Sequence, residues 1–326
     1  MKRFMLPLLF AVSFAVVAAA PFVGIVNIPL SALFSAESGG AARILWELRI
    51  PRVLLGWITG STLAICGLIF QALFRNPLAS PDMLGVSTGA AFGAVLYIRL
   101  GAAFSIAAVS GLPIAAFLGA LLATLAIYMA GSLKRGGMSE GTLLLAGIAM
   151  SFLFGSMNMI VQYSGGYTDT FRMMRWSMGG IQTVGFGSVY VTLPALALIF
   201  LLAYTMSNEL NLFVCGEEIA ASRGVSVAKL RRVLFFAVSI VIGVNVAACG
   251  PIGFVGLMGP HICRKLVGSD HKRLVLASLF FGGAFLVICD TAARILWAPM
   301  EVPVGIITSC AGSIFFLWLL LRRGKR

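Results

Sequence analysis

The chain has 326 residues, of which 60% are apolar and only 11% charged, and its mean hydropathy is +1.01. Soluble domains are nearer half apolar and a quarter charged, so this balance excludes a soluble enzyme, a disordered chain and a nucleic-acid-binding domain. The formal net charge of +13 falls in short clusters between long apolar runs, a pattern of membrane topology and not of a nucleic-acid footprint.

A helical span takes ~20 mostly apolar residues. In chain order, apolar runs and breakers predict ten spans: 4–23, 53–73, 85–104, 111–133, 141–163, 186–206, 233–250, 252–267, 274–297 and 304–321. The expected class is an all-α polytopic membrane protein with about ten helices, packed as one domain over 1–326, because no polar linker is long enough to divide it. Lys2 and Arg3 open the first run, and Ala18-Ala19-Ala20 resembles a signal-peptide cleavage site. The run is long enough to span, so an uncleaved first helix is expected. Spans seven and eight are parted only by Gly250-Pro251, which predicts that one of them is short, tilted or broken.

With the N-terminus in the cytoplasm, alternation places seventeen of the basic residues on the cytoplasmic side and seven on the other. That bias supports ten spans with both termini cytoplasmic. Gly56-x-x-x-Gly60, Gly85-x-x-x-Gly89 and Gly89-x-x-x-Gly93 put small residues on one helical face, where backbones approach closely. Cys66, Cys215, Cys249, Cys263, Cys289 and Cys310 show no C-x-x-C spacing, and reduced thiols are expected. With two histidines, His261 and His271, and no ligand spacing, no metal site and no cofactor is expected in this chain.

Residues that bear chemistry come next in chain order. Arg49, Arg52 and Arg294 oppose the positive-inside bias; they serve either as snorkelling anchors or as an electrostatic docking face. Asn76-Pro77 and Ser80-Pro81-Asp82 form a cytoplasmic turn, with Ser80 placed as an N-cap and Pro81 at the first helical position. Ser139 and Glu140 precede span five, which carries Met150, Phe154, Met157, Asn158 and Gln162; its methionine–phenylalanine stripe suits core or pathway. Arg172 and Arg175 stand near the outer mouth and suit an anionic chelate, a partner protein or lipid headgroups. The longest polar stretch, 207–232, holds Glu217, Glu218, Ala220, Ala221, Arg223 and Gly224, and predicts a short helix ended by glycine. Glycines 250, 253, 256 and 259 with Pro251 and Pro260 predict a distorted helix covered by protein or a cavity. Asp290 lies deep in span nine; it is either a functional intramembrane carboxylate or the partner of Arg294 at i+4. Glu301 belongs to the outer rim beside Pro303.

Glu218-x-Ala220-Ala221-x-x-Gly224 resembles the cytoplasmic coupling loop of ABC-transporter permeases. Arg49-Ile50-Pro51-Arg52, Asn76-Pro77-Leu78-Ala79, Leu143-Leu144-Leu145-Ala146-Gly147, Gly253-Phe254-Val255-Gly256-Leu257-x-x-Pro260-His261, Asp290-Thr291-x-Ala293-Arg294 and Glu301-Val302-Pro303-Val304-Gly305 follow in order. Together, over roughly residues 45 to 323, they look like the permease family that imports iron chelates, haem and cobalamin in bacteria.

The resemblance implies a homodimer around a central pathway, two cytoplasmic ATP-binding subunits on the coupling loop, and a periplasmic binding protein on the outer face. It implies ATPase coupling through Glu217, Glu218, Ala220, Ala221, Arg223 and Gly224. Arg49, Arg52, Arg294 and Glu301 would dock the binding protein; Asn76, Pro77, Asp82, Ser139 and Glu140 would form a cytoplasmic loop or gate. The chain has no G-x-x-x-x-G-K-[ST] sequence, so ATP and magnesium would be bound by the partner and the chain would be a transport subunit. The expected cargo is an iron–siderophore complex, then haem or cobalamin. The competing reading is an ion-coupled secondary carrier, which needs Asp290 free to titrate.

Overall fold

The computed structural model describes residues 2–33, 40–101, 105–106, 109–132 and 140–323, the side chains of a few segment-end residues excepted. Among the described residues thirteen helices, short 3-10 turns aside, run in chain order. They are α1 (Lys2–Ala19), α2 (Gly40–Leu73), α3 (Val86–Arg99), α4 (Gly111–Ser132), α5 (Glu140–Tyr163), α6 (Tyr167–Ser177), α7 (Gly187–Thr205), α8 (Ser207–Cys215), α9 (Glu217–Ser222), α10 (Val227–Cys249), α11 (Val255–Val267), α12 (His271–Ile295) and α13 (Val304–Arg323). Two two-residue strands, β1 (Ser105–Ile106) and β2 (Val109–Ser110), pair antiparallel before α4.

Eight of the helices are long and apolar enough to cross a bilayer among the described residues. Two further predicted spans are short: α3 has 14 residues and α11 has 13. At 1.5 Å per residue each rises only ~20 Å against a ~30 Å hydrocarbon core. Span eight is thus the broken one of the pair that Gly250-Pro251 separates. Residues 250–254 run without helix between α10 and α11.

α2 is the centre of the molecule. It opens with one α-helical turn, Gly40–Arg43, passes through a π-helical stretch, Ile44–Arg49, and continues as an α-helix from Ile50 with Pro51 as its second residue. Nearly every residue from Val53 to Phe74 is buried. α12, α11, α10 and α7 pack around it, in one apolar cluster that includes Ile65, Phe70, Leu234, Phe235 and Leu286.

The closest approaches use glycine. A Cβ on Gly60 would overlap the Gly282 carbonyl of α12, and one on Gly67 would overlap the Gly256 carbonyl of α11. Gly89 and Gly93 of α3 meet Gly119 and Ala115 of α4 in the same way, as the small-residue spacing predicts. Without a hydrophobic drive between helices in lipid, such contacts carry the packing.

α1 is fixed to this body. Trp57 Nε1 donates to Ser13 Oγ at 2.8 Å, and Phe10 packs edge-on against Phe280 at 5.3 Å. All six cysteines are free thiols.

Candidate functional site: a transmembrane cavity between two charged ends

α2 carries Arg52 near one end and Gln71 near the other, so its ends define two poles. The Arg52 pole gathers Arg49, Arg294, Asp290, Glu301, Arg172 and Arg175. The Gln71 pole gathers Arg75, Arg231, Arg264 and the 207–232 segment. The arginines named at each pole are ones that the sequence assigns to opposite membrane faces, and these two groups lie at opposite ends of the helix bundle.

At the Arg52 pole the charges are mostly committed to each other. Arg52 Nε and Nη2 both donate to Asp290 at 3.0 Å, and Arg52 Nη1 donates to Glu301 at 2.8 Å. Arg294 Nε lies 3.3 Å from Asp290 Oδ2, the i+4 pair legible in the sequence. Arg49 donates to the carbonyls of Pro21 and Val26, and Arg294 donates to Thr291 Oγ1 at 3.0 Å. Asp290, Arg294 and Arg49 are only 2%, 6% and 8% exposed. Of the four residues assigned to docking, only Glu301 is well exposed and Arg52 partly so; the guanidinium groups of Arg49 and Arg294 turn inward and tie the α1–α2 connection to α2 and α12. Sequence reasoning missed the Arg52–Asp290 pair, because helix periodicity relates residues on one helix and not on two.

Two cavities open here. One, of about 440 Å³, is lined by Arg52, Arg172, Arg175, Gln182 and Glu301 among others. The other, of about 520 Å³, is lined by Arg49, Arg52, Arg294, Glu301 and apolar residues of 24–26 and 44–48. Arg172 and Arg175, taken as pathway residues, thus stand with the docking residues.

A third cavity, of about 590 Å³, lies between α3, α5 and the α10–α11 break. Ser87, Thr88 and Ala91 form one wall; Gly155, Asn158, Met159 and Gln162 of α5 form another; Pro251, Gly253, Phe254 and Leu257 close it. Asn158 donates from Nδ2 to the Thr88 carbonyl at 3.3 Å, and its buried Oδ1 has no hydrogen-bond partner. Of the pathway residues on α5, Asn158 and Gln162 reach this cavity. Phe154 instead packs against Phe92 of α3 at 5.8 Å, and Met150 packs against the core. Met157 is partly buried and lies outside the lining.

The break is covered as intramembrane backbone requires. Gly180 N–H donates to the Cys249 carbonyl at 2.8 Å, and Gly305 N–H to the Gly179 carbonyl at 3.3 Å. Phe254 has φ +67°, a left-handed conformation that L-residues with bulky side chains rarely take. Its ring lies directly over Gly312 of α13 and 6.4 Å from the Phe316 ring.

Asp82 touches the same cavity from the turn at 81–84. Ser80 caps that turn, its Oγ accepting from the Asp82 N–H at 3.2 Å, and Ser87 Oγ donates to Asp82 at 3.0 Å. Burial raises the carboxyl above its ordinary value, and the two serine contacts oppose that rise. Asn76 closes the preceding turn by accepting from Leu78 N–H at 2.9 Å, and Pro77 is exposed beside it. Ser139 lies outside the described residues; Glu140 begins α5, and its side chain is outside them too.

At the Gln71 pole, α9 is the short helix expected from 217–224, ended by Gly224 at φ +84°. Glu218, Ile219, Ala221 and Arg223 are exposed and Ala220 is buried. Glu217 turns inward, accepting from Arg231 at 2.7 Å and from Arg75 at 3.4 Å. Among the described residues no group of three or more His, Cys, Asp and Glu is placed to hold a metal ion.

The model of the FecCD transport family matches residues 8–322. The chain belongs to the FecCD transport family. It is 41% identical over 285 residues to the cobalamin import system permease protein BtuC of Halobacterium salinarum, covering 87% of this chain and 74% of that one. It is 36% identical over 310 residues to the hemin transport system permease protein HmuU of Yersinia pestis, covering 93% and 91%. It is 32% identical over 324 residues to the iron(3+)-hydroxamate import system permease protein FhuG of Bacillus subtilis, covering 96% of each. A solved structure described as an inward-facing conformation of a metal-chelate-type ABC transporter superposes with a TM-score of 0.85 at 28% identity, covering 98% of this chain and 99% of that one. The FecCD chain is therefore an ABC-importer permease subunit of the metal-chelate, haem and cobalamin class, with ATP hydrolysis in a separate subunit.

Proposed function

We propose that this chain is the membrane-spanning subunit of an ATP-driven importer that carries a bulky metal chelate, an iron–siderophore complex first, haem or cobalamin next. Two copies form the pathway. Two cytoplasmic ATP-binding subunits, which bind ATP and magnesium, dock on the α9 face around Glu218, and a periplasmic binding protein docks near Glu301 and Arg52. The chain sits in the bacterial inner membrane as a single permease domain with both termini cytoplasmic.

The observation that carries the cargo class is the 590 Å³ cavity beside the broken helix. Broken helices at the midplane are a common place for transport sites, and this volume lies in the range of small-molecule sites. Its polar lining is Asn158, Gln162, Ser80, Ser87, Thr88, Ser177 and Asp82, with no arginine or lysine. That lining suits the uncharged amide and hydroxamate oxygens of a siderophore over the carboxylates of haem. The exposed faces of α5 and α13 leave this side for a second copy to complete. The Asp290 pairing with Arg52 and Arg294 speaks against the ion-coupled carrier, which needs a free carboxyl.

The test is a gentle pull-down of the tagged chain from native membranes with mass spectrometry, followed by uptake with ferric hydroxamates, haemin and cobalamin as probes. An equimolar P-loop ATPase and uptake of one probe are expected. A chain recovered alone as a stable folded oligomer would overturn the reading.

A further inference from the structure

The coupling segment presents two adjacent glutamates that face different ways. Glu218 is exposed, as are Ile219, Ala221 and Arg223. Glu217, with its side chain still 36% exposed, leans toward α2 and α10, where one carboxylate oxygen accepts from Arg231 Nη2 at 2.7 Å and from Arg75 Nη2 at 3.4 Å. Arg231 opens α10, is nearly buried, and lies over the ring of the fully buried Phe213 at 5.8 Å. Arg75 stands just past the end of α2 with φ +42°, in the left-handed region that L side chains seldom occupy. The α9 helix is therefore clasped between the end of α2 and the start of α10 by one carboxylate.

The contact continues inward. Gln71 lies one turn before Arg75 and is buried. Its Nε2 donates to the Leu257 carbonyl at 3.1 Å, and its Oε1 accepts from Arg264 Nη2 at 3.1 Å. Leu257 belongs to the first turn of α11 and lines the transmembrane cavity. Backbone and side-chain contacts thus run from α9 through the end of α2 to the broken helix, with no gap. A coupling claim requires an element that two sites both bias; here α11 contacts the last turn of α2 through Gln71, and α9 contacts the residue just beyond that helix, Arg75.

Resting on the importer reading above, we propose that Glu217 is a positioning residue that latches the coupling helix to α2 and α10 and passes its displacement to the cavity wall, whereas Glu218 is the residue that meets the ATP-binding subunit. The two glutamates divide docking from transmission. Removing Glu217 leaves the docking face in place and disconnects it.

The test uses the full chain in membranes with its native ATP-binding subunit. The exposed Cys215 and Cys310 are replaced by serine, and Met159→Cys on the cavity wall reports labelling by a membrane-impermeant maleimide. With Glu217 intact, ATP plus vanadate changes the labelling rate about fivefold, the low end of ordinary allosteric coupling. Glu217→Ala abolishes that change while recovery of the ATP-binding subunit stays at the wild-type level. Arg231→Met, which removes the other end of the latch and leaves α9 unaltered, has the same effect, and carries the test alone if Glu217→Ala fails to reach the membrane. Recovery that falls as far in Glu217→Ala as in Glu218→Lys makes Glu217 a docking residue and overturns the proposal. So does an undiminished nucleotide response in Glu217→Ala or in Arg231→Met. If the unaltered chain brings down no ATPase at all, the importer reading itself fails and the latch falls with it.

Discussion

Asp290 of α12 is held by Arg52 of α2, with both Arg52 Nε and Nη2 donating at 3.0 Å, while Arg294 on its own helix is the more distant partner at 3.3 Å. The carboxylate therefore sits between two guanidinium groups in a nearly closed site, and Glu301 on Arg52 supplies the second negative charge. Removing one partner of a buried ion pair costs about 3–5 kcal/mol, because the remaining charge keeps its desolvation penalty. Asp290→Asn is expected to lower the thermal midpoint of the solubilised protein steeply, and Arg52→Gln to do so less, since Arg294 still answers Asp290. A midpoint unchanged in Asp290→Asn would show the carboxyl to be uncoupled and would restore the carrier reading.

Gly67 and Gly256 bring α2 and the broken helix α11 into backbone contact, leaving no room for a methyl group. Overpacking a close-packed interior costs ~1–3 kcal/mol and more where backbone must move. Gly67→Ala should therefore reduce folded yield and thermal stability, whereas Gly141→Ala, with open space around its Cβ, should leave both unchanged. Equal stability of the two variants, measured by fluorescence-detected unfolding, would refute the close approach.

Much of this arrangement is legible in the sequence because membrane helices obey few rules. Length and hydropathy give the spans, Gly250-Pro251 gives the break, and the position of arginines gives the two poles. Ser80-Pro81 gives its own cap, and Gly224 its own helix end. What periodicity lacks is the direction of a side chain between elements. The α5 stripe of Met150, Phe154 and Met157 shares a helical face, but only the third dimension turns Phe154 onto Phe92 and leaves Asn158 and Gln162 for the cavity. Likewise Glu217 and Glu218 are equal as letters. A one-residue step of 100° around α9 sends one inward to Arg231 and the other outward.

Asp82 gives a pH signature. Burial lifts its folded-state pKa above the ordinary value of about 3.9, so between those two values the folded protein binds more protons than the unfolded chain. Stability then falls as pH rises through that window and is greatest below it. Asp82→Asn keeps the serine contacts without the ionisation. It is expected to flatten the fall in thermal midpoint on going up from about pH 4, the unfolded carboxylate range. An unchanged slope in Asp82→Asn would assign that fall to other carboxylates.

Phe254 and Gly312 test the cavity wall directly. Holding a non-glycine residue in the left-handed region costs ~1–2 kcal/mol, and here it aims the ring at α13, into space that a side chain at 312 would fill. Gly312→Ala must push the ring away from α13, and the cavity lined by Asn158 and Gln162 is the open space beside it. The expected result is a stability loss of about 1–3 kcal/mol together with reduced chelate uptake. Phe254→Gly loses the ring's packing in the parent protein, yet in the Gly312→Ala background it should recover stability, because it removes the Cβ, Cγ and ring atoms that the new methyl group would overlap. Residues in contact couple by ~0.5–3 kcal/mol in a double-mutant cycle. Strict additivity of the two substitutions would mean that the ring does not rest on Gly312 in the membrane-embedded protein.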